Sequence, residues 1–191
     1  MINDKLLLDS LHDFFKIPYN RDSLISVLSN DKKVSLRSID WFITNYSKKN
    51  NIYYIIYENS EKIPSFKEKN NNYRQNMNVF HSYKSQLKAY SKKRFDPFCR
   101  RERLLFEIDK DNSVETTIGQ LNFFRWAISN LVIEYIILNK EEIENDMNSC
   151  LKKIKMSHDK KDGSRKQRQE LSLSATRGLI YNHIPVEISF D

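Results

Sequence analysis

The chain has 191 residues, with 32 Lys and Arg against 25 Asp and Glu for a net charge of +7, and it is 39% hydrophobic and 12% aromatic. That content suits one domain with a core and excludes a wholly disordered or collagen-like chain. No run approaches the roughly 18 apolar residues of a membrane span, so no membrane partner is expected. The acid-bearing start MINDKLLLDSLHDFF does not read as a signal peptide.

In chain order, Leu6, Leu7, Leu8, Leu11, Phe14 and Phe15 predict a helix over 4–16 that Pro18 stops. A second short helix is expected over 22–29. Ser35 caps a third, whose Leu36, Ile39, Phe42, Ile43 and Tyr46 form one apolar stripe closed by Lys48, Lys49, Asn50 and Asn51. IYYIIY at 52–57 is β-branched and aromatic and reads as a buried strand. The polar stretch 58–78 reads as a long surface loop. Val79, Tyr83, Leu87 and Tyr90 predict a helix over 79–92, which Phe95-Asp96-Pro97-Phe98 breaks.

LLFEI at 104–108 resembles a strand, with 109–112 as its turn. Thr116 or Thr117 caps a helix with apolar residues on nearly all sides, the expected central helix, which Asn130 interrupts. LVIEYIIL at 131–138 fits helix or strand. Residues 141–155 run from acidic to basic, as the helix dipole favours. The expected class is α+β, a helix-rich single domain with a small sheet and a C-terminal strand pair after a basic linker. Residues 1–155 form the core, 156–170 the flexible basic linker, and 171–191 the strands (172–176 and 186–190) that pack back on it.

Positive charge is concentrated. Lys84, Lys88, Lys92, Lys93, Arg94, Arg100, Arg101 and Arg103 face only Asp96 and Glu102 between 84 and 103. A second block holds Lys152, Lys153, Lys155, Lys160, Lys161, Arg165, Lys166 and Arg168 against Asp159 and Asp162. The remainder is net negative, so the cations mark a polyanion footprint. On a helix, Lys84, Lys88 and Lys92 would form one ridge, while Tyr83, Tyr90, Phe95 and Phe98 offer rings for base stacking or for the core. The expected nucleic-acid contacts are the first block together with Arg165, Lys166 and Arg168. The competing readings of the blocks are a solvated face and, for the second, a nuclear localisation signal or soluble linker.

Catalytic patterns are thin. Asp96, Glu107, Asp109 and Asp111 could suggest a metal-dependent nuclease, yet EIDKD lacks the acid-x-Lys spacing and reads more simply as a strand ending in a charged turn. Three glycines build no phosphate-cradling loop. Cys99 beside Arg100, Arg101 and Arg103 invites a lowered thiol pKa, but no His lies near it in sequence. Two cysteines and four scattered histidines give no zinc-finger spacing. No enzyme, metal or cofactor is expected.

YKSQLKAYSKKRFDPFCRRER (83–103) and TTIGQLNFFRWAI (116–128), with SLRSIDWFITNYSKKN (35–50) and the terminal SLSATR and VEISF, resemble a small-protein family of giant viruses, the nucleocytoplasmic large DNA viruses. The AT-rich codon bias toward Lys, Asn, Ile, Tyr and Phe agrees with such a genome. The family is distantly similar to the poxvirus-type viral late transcription factor 2. Those proteins resemble a cysteine-rich finger around a Phe-Cys core, echoed here by Phe98-Cys99 alone, so zinc does not carry over. The resemblance implies a non-catalytic factor that binds nucleic acid, DNA foremost, and assists the viral RNA polymerase or other viral transcription proteins. It would work in the host cytoplasm (the viral factory) or the virion, with the host nucleus as the alternative. The alternative function is a virion structural, genome-packaging or interaction protein.

Overall fold

Leu7, Leu11 and Phe15 recur every four residues and close helix α1 (Asp4–Phe15) onto the core. The computed structural model describes residues 4–28, 34–108, 113–158 and 181–182. Helix α2 (Pro18–Leu28) follows after a two-residue step. Pro18 does not merely stop α1. It opens α2, because a first-turn proline gives up only an N–H that had no intrahelical partner.

Ser35 caps α3 (Leu36–Trp41), its hydroxyl accepting from the Ser38 amide at 3.0 Å. The helix widens into a π-helical turn (Phe42–Tyr46) and ends as α4 (Ser47–Lys49). The turn buries Phe42 and Ile43, and the Ser47 hydroxyl donates to the Ile43 carbonyl at 2.8 Å.

The central strand of the first sheet is β1 (Tyr53–Glu58), in the order β2-β1-β3 with β2 (Pro64–Ser65) and β3 (Asn72–Asn78), all antiparallel. Two sequence expectations change here. The strand is not buried throughout: Ile56 is fully enclosed, while Tyr53 and Ile55 are 56% and 37% exposed. One face packs on the core and the other meets water, the usual alternation of an antiparallel sheet. The polar stretch 58–78 is not one loop but holds β2 and β3. Backbone pairing with β1 builds β3, and its polar side chains find partners on the far side. Arg74 donates to the Ser129 carbonyl at 3.0 Å and Gln75 to the Asn130 side chain at 2.6 Å.

Helix α5 (Val79–Arg94) starts at Asn78, whose side chain accepts from the His81 amide. The second sheet pairs β4 (Leu104–Glu107) with β5 (Ser113–Thr116) and β5 with β6 (Tyr181–Asn182). Thr117 caps α6 (Ile118–Ser129), which is buried on nearly every side as its sequence predicts. Helices α1, α2 and α5 all pack on it, as does α7 (Val132–Leu138), which resolves LVIEYIIL as helix. Phe123, Phe124, Trp126 and Ile128 anchor this centre, each buried aromatic contributing about 1.5–3 kcal/mol.

Helix α8 (Lys140–His158) packs on α3 and α7 and extends past 155, so residues 156–158 are helical rather than linker. The strands expected at 172–176 and 186–190, the rest of the linker and the turn at 109–112 lie outside the described residues. The architecture is a helix-rich α+β domain with small antiparallel sheets. Among the described residues no single helix is long and apolar enough to cross a membrane.

Candidate nucleic-acid interface

The two segments 83–103 and 116–128 meet in the fold. Asn122, buried on α6, donates to the Arg94 carbonyl at 2.8 Å, and Gln120 donates to the Pro97 carbonyl at 2.9 Å. Thr116 donates to Gln120 at 2.8 Å, and the Asp96 amide donates to the Gly119 carbonyl at 3.2 Å. The buried Asn122 and Gln120 amides of α6 thus satisfy the carbonyls of Arg94 and Pro97, at and just past the end of α5 where helical pairing stops.

This clamp decides which cations stay free. Arg94 is half-buried and its guanidinium pairs with Asp4, whose carboxyl is held below the usual range by that hydrogen bond. Arg100 grips Asp96 through two 2.9 Å bonds, which hold the guanidinium above its ordinary value. Arg103 pairs with Glu115 at 3.1 Å across β4 and β5. By contrast, Lys84, Lys88, Lys92, Lys93 and Arg101 are exposed, and none has an acidic salt-bridge partner among the described residues.

The expected Lys84–Lys88–Lys92 ridge is interrupted. Ser91 has φ 57° and ψ 168°, far from helical, so Lys92 leaves the row that Lys84 and Lys88 share. Arg165, Lys166 and Arg168 lie outside the described residues.

The aromatics of the block do not form a base platform. Tyr83, Phe95 and Phe98 are buried, with the Phe95 ring 5.3 Å from Phe123 and 5.6 Å from Trp126. Burial pushes the Tyr83 hydroxyl up to about 12. Tyr90 is half-buried beside Phe95 and takes a 3.3 Å bond from Arg125. These rings are core because Tyr83 and Tyr90 lie on the face of α5 that packs toward α6, and Phe95 and Phe98 turn inward where α5 ends.

A different ring is accessible. Phe80, half-buried on the first turn of α5, has the Lys48 ammonium 5.6 Å and the Lys84 ammonium 5.4 Å from its centroid. Lys48 stays available because its neighbour Lys49 pairs with Asp146, which Trp41 also holds at 3.0 Å. The sequence did carry a signal: Phe80 is one step off the Val79–Tyr83 stripe, where a helix usually places polar residues.

Beside it, β3 and α5 enclose an open groove of about 500 Å³ lined by Arg74, Asn76, His81, Ser85, Gln86 and the Trp126 edge, among others. No acid lines it.

Catalytic chemistry gains no geometry. Asp96 is committed to Arg100, Glu107 is exposed, and Asp109 and Asp111 lie outside the described residues. Burial raises the Cys99 thiol, and the pull of Arg103 does not reverse it, so a lowered thiol pKa is not found. Among the described residues no three His, Cys, Asp or Glu side chains group as metal ligands.

The family described as "Family of unknown function (DUF7197)" matches residues 2–191. An uncharacterized protein of Acanthamoeba polyphaga mimivirus is 39% identical over 174 residues, covering 88% of this chain and 57% of that protein. The chain therefore spans little more than half the length of this relative. No solved structure matches.

Proposed function

The chain belongs to the DUF7197 family and is a giant-virus protein, and from that premise we propose that it binds nucleic acid without catalysis, in support of the viral RNA polymerase at late promoters. The observation that carries the binding is the set of exposed cations along α5 and beyond it that have no ion-pair partner among the described residues: Lys84, Lys88, Lys92, Lys93 and Arg101. A solvated face would intersperse acids freely, whereas here Asp4, Asp96 and Glu115 are spent on Arg94, Arg100 and Arg103, and exposed Glu102 is the one acid between 84 and 103 with no ion pair among the described residues. Exposed cations grouped in this way neutralise neighbouring phosphates and release counterions.

The late-promoter role rests on the resemblance of 83–103 and 116–128 to the giant-virus family and on that family's distant similarity to the poxvirus-type late transcription factor. Affinity purification of the tagged full chain from infected cells tests it. Polymerase subunits should co-purify at low copy number. Recovery at many copies per virion without polymerase would instead favour the packaging protein.

A further inference from the structure

We infer that the surface from Phe80 into the β3–α5 groove binds unpaired bases of a single-stranded nucleic acid, a reading that rests on the proposed nucleic-acid function and narrows it. Phe80 is held where a base can reach it. Its neighbours Val79 and Tyr83 are buried, yet its own ring stays partly open with two lysines over it. Cation–π contacts at exposed sites are weak and exchangeable. A base can take the ring face while the Lys48 and Lys84 ammonium groups swing to the phosphates on either side of it.

The groove supplies what a second base needs. Arg74, Gln75 and Asn78 are fixed by bonds to Ser129, Asn130 and Asn51. The Asn76 and Gln86 amides and the His81 ring make no hydrogen bond among the described residues, although all three line the groove. Side-chain amides present a donor and an acceptor together, which matches the mixed edge of an unpaired base. His81 follows Phe80 on α5 and lines the groove, its ring 5.9 Å from that of Phe80. Paired bases in a duplex present no ring face to Phe80, so the site selects single strands.

The test uses the full chain with fluorescent oligothymidylate and oligouridylate of about a dozen nucleotides, and a duplex of equal length. Phe80→Leu should weaken both single-strand probes roughly tenfold and leave the duplex unchanged, while Phe80→Trp restores them. Photocrosslinking of wild-type protein to iodouracil-containing strands gives a readout that needs no variant, and the modified peptide should contain Phe80. Unchanged single-strand affinity in Phe80→Leu, or crosslinks only elsewhere, overturns the site. Wild-type binding to duplex without single-strand preference overturns it and leaves the proposed function standing. Failure of every probe at low salt overturns both.

Discussion

Arg100 holds the buried carboxylate of Asp96 through two hydrogen bonds of 2.9 Å, its guanidinium centred 4.7 Å from the Phe98 ring. Asp96 in turn accepts from the Phe98 amide at 3.1 Å, so the pair fixes the chain as it leaves α5. A guanidinium so engaged supports the fold before it can serve a phosphate. Arg100→Ala should cost about 1–3 kcal/mol by stranding Asp96, with the salt dependence of nucleic-acid binding nearly unchanged. Urea unfolding and a salt titration measure the two effects separately. Wild-type stability with a flattened salt slope would return Arg100 to the interface.

Removing free cations should do the reverse. Lys84→Gln with Lys88→Gln should reduce the log–log salt slope by about 2 while leaving the urea midpoint near wild type. Both residues are exposed and lack an acidic partner among the described residues, so little folding energy depends on them. A slope equal to that of wild type would show that this face does not meet phosphate.

Gly119 sits where α6 begins under the end of α5. A Cβ there would lie 3.1 Å from the Lys93 carbonyl oxygen and 3.4 Å from the Phe95 amide nitrogen, both backbone atoms. Gly119→Ala should therefore destabilise the protein by about 1–3 kcal/mol despite its better helix propensity. Equal or greater stability would mean the two helices part at no cost.

Glu134 on α7 is a half-buried acid of a small cleft of about 280 Å³ against α2, which Asp22 also lines. Tyr19 donates to one carboxylate oxygen at 3.0 Å, and the other, Oε2, is buried without a hydrogen-bond partner among the described residues. Burial raises this carboxyl above its ordinary value of 4.5, against the weaker pull of its hydrogen bonds. The folded state therefore holds the proton more tightly than the unfolded one. The stability this gives is complete below pH 4.5 and is lost as pH rises through the folded value. Glu134→Gln keeps an acceptor for Tyr19 and should gain on the order of 1 kcal/mol at neutral pH, with a flatter stability profile above mild acid. Thermal melts across pH decide this, and a profile parallel to wild type would contradict it.

Strong periodicity made most helices legible. Ser35 and Thr117 announce their caps, and the all-round apolarity of 118–128 marks the central helix. Strand β3 was not legible, because NYRQNMN has no apolar alternation and exists through pairing with β1 and the bonds of Arg74 and Gln75 to α6. The basic block was visible as composition, but its division was not. Which arginines are spent on Asp4, Asp96 and Glu115 depends on contacts far along the chain in two of three cases. The kink at Ser91 left no mark in the lysine spacing, and Phe80 was overshadowed by rings that turn inward.

The most direct test of the account is binding of the purified full chain to labelled duplex and single-stranded DNA across a salt series. Several free cations meeting phosphate predict a steep log–log dependence, with a slope of about −4 or beyond. No binding at low salt, or a slope near zero, would contradict the nucleic-acid interface on α5 and assign its lysines to solvent or to a protein partner.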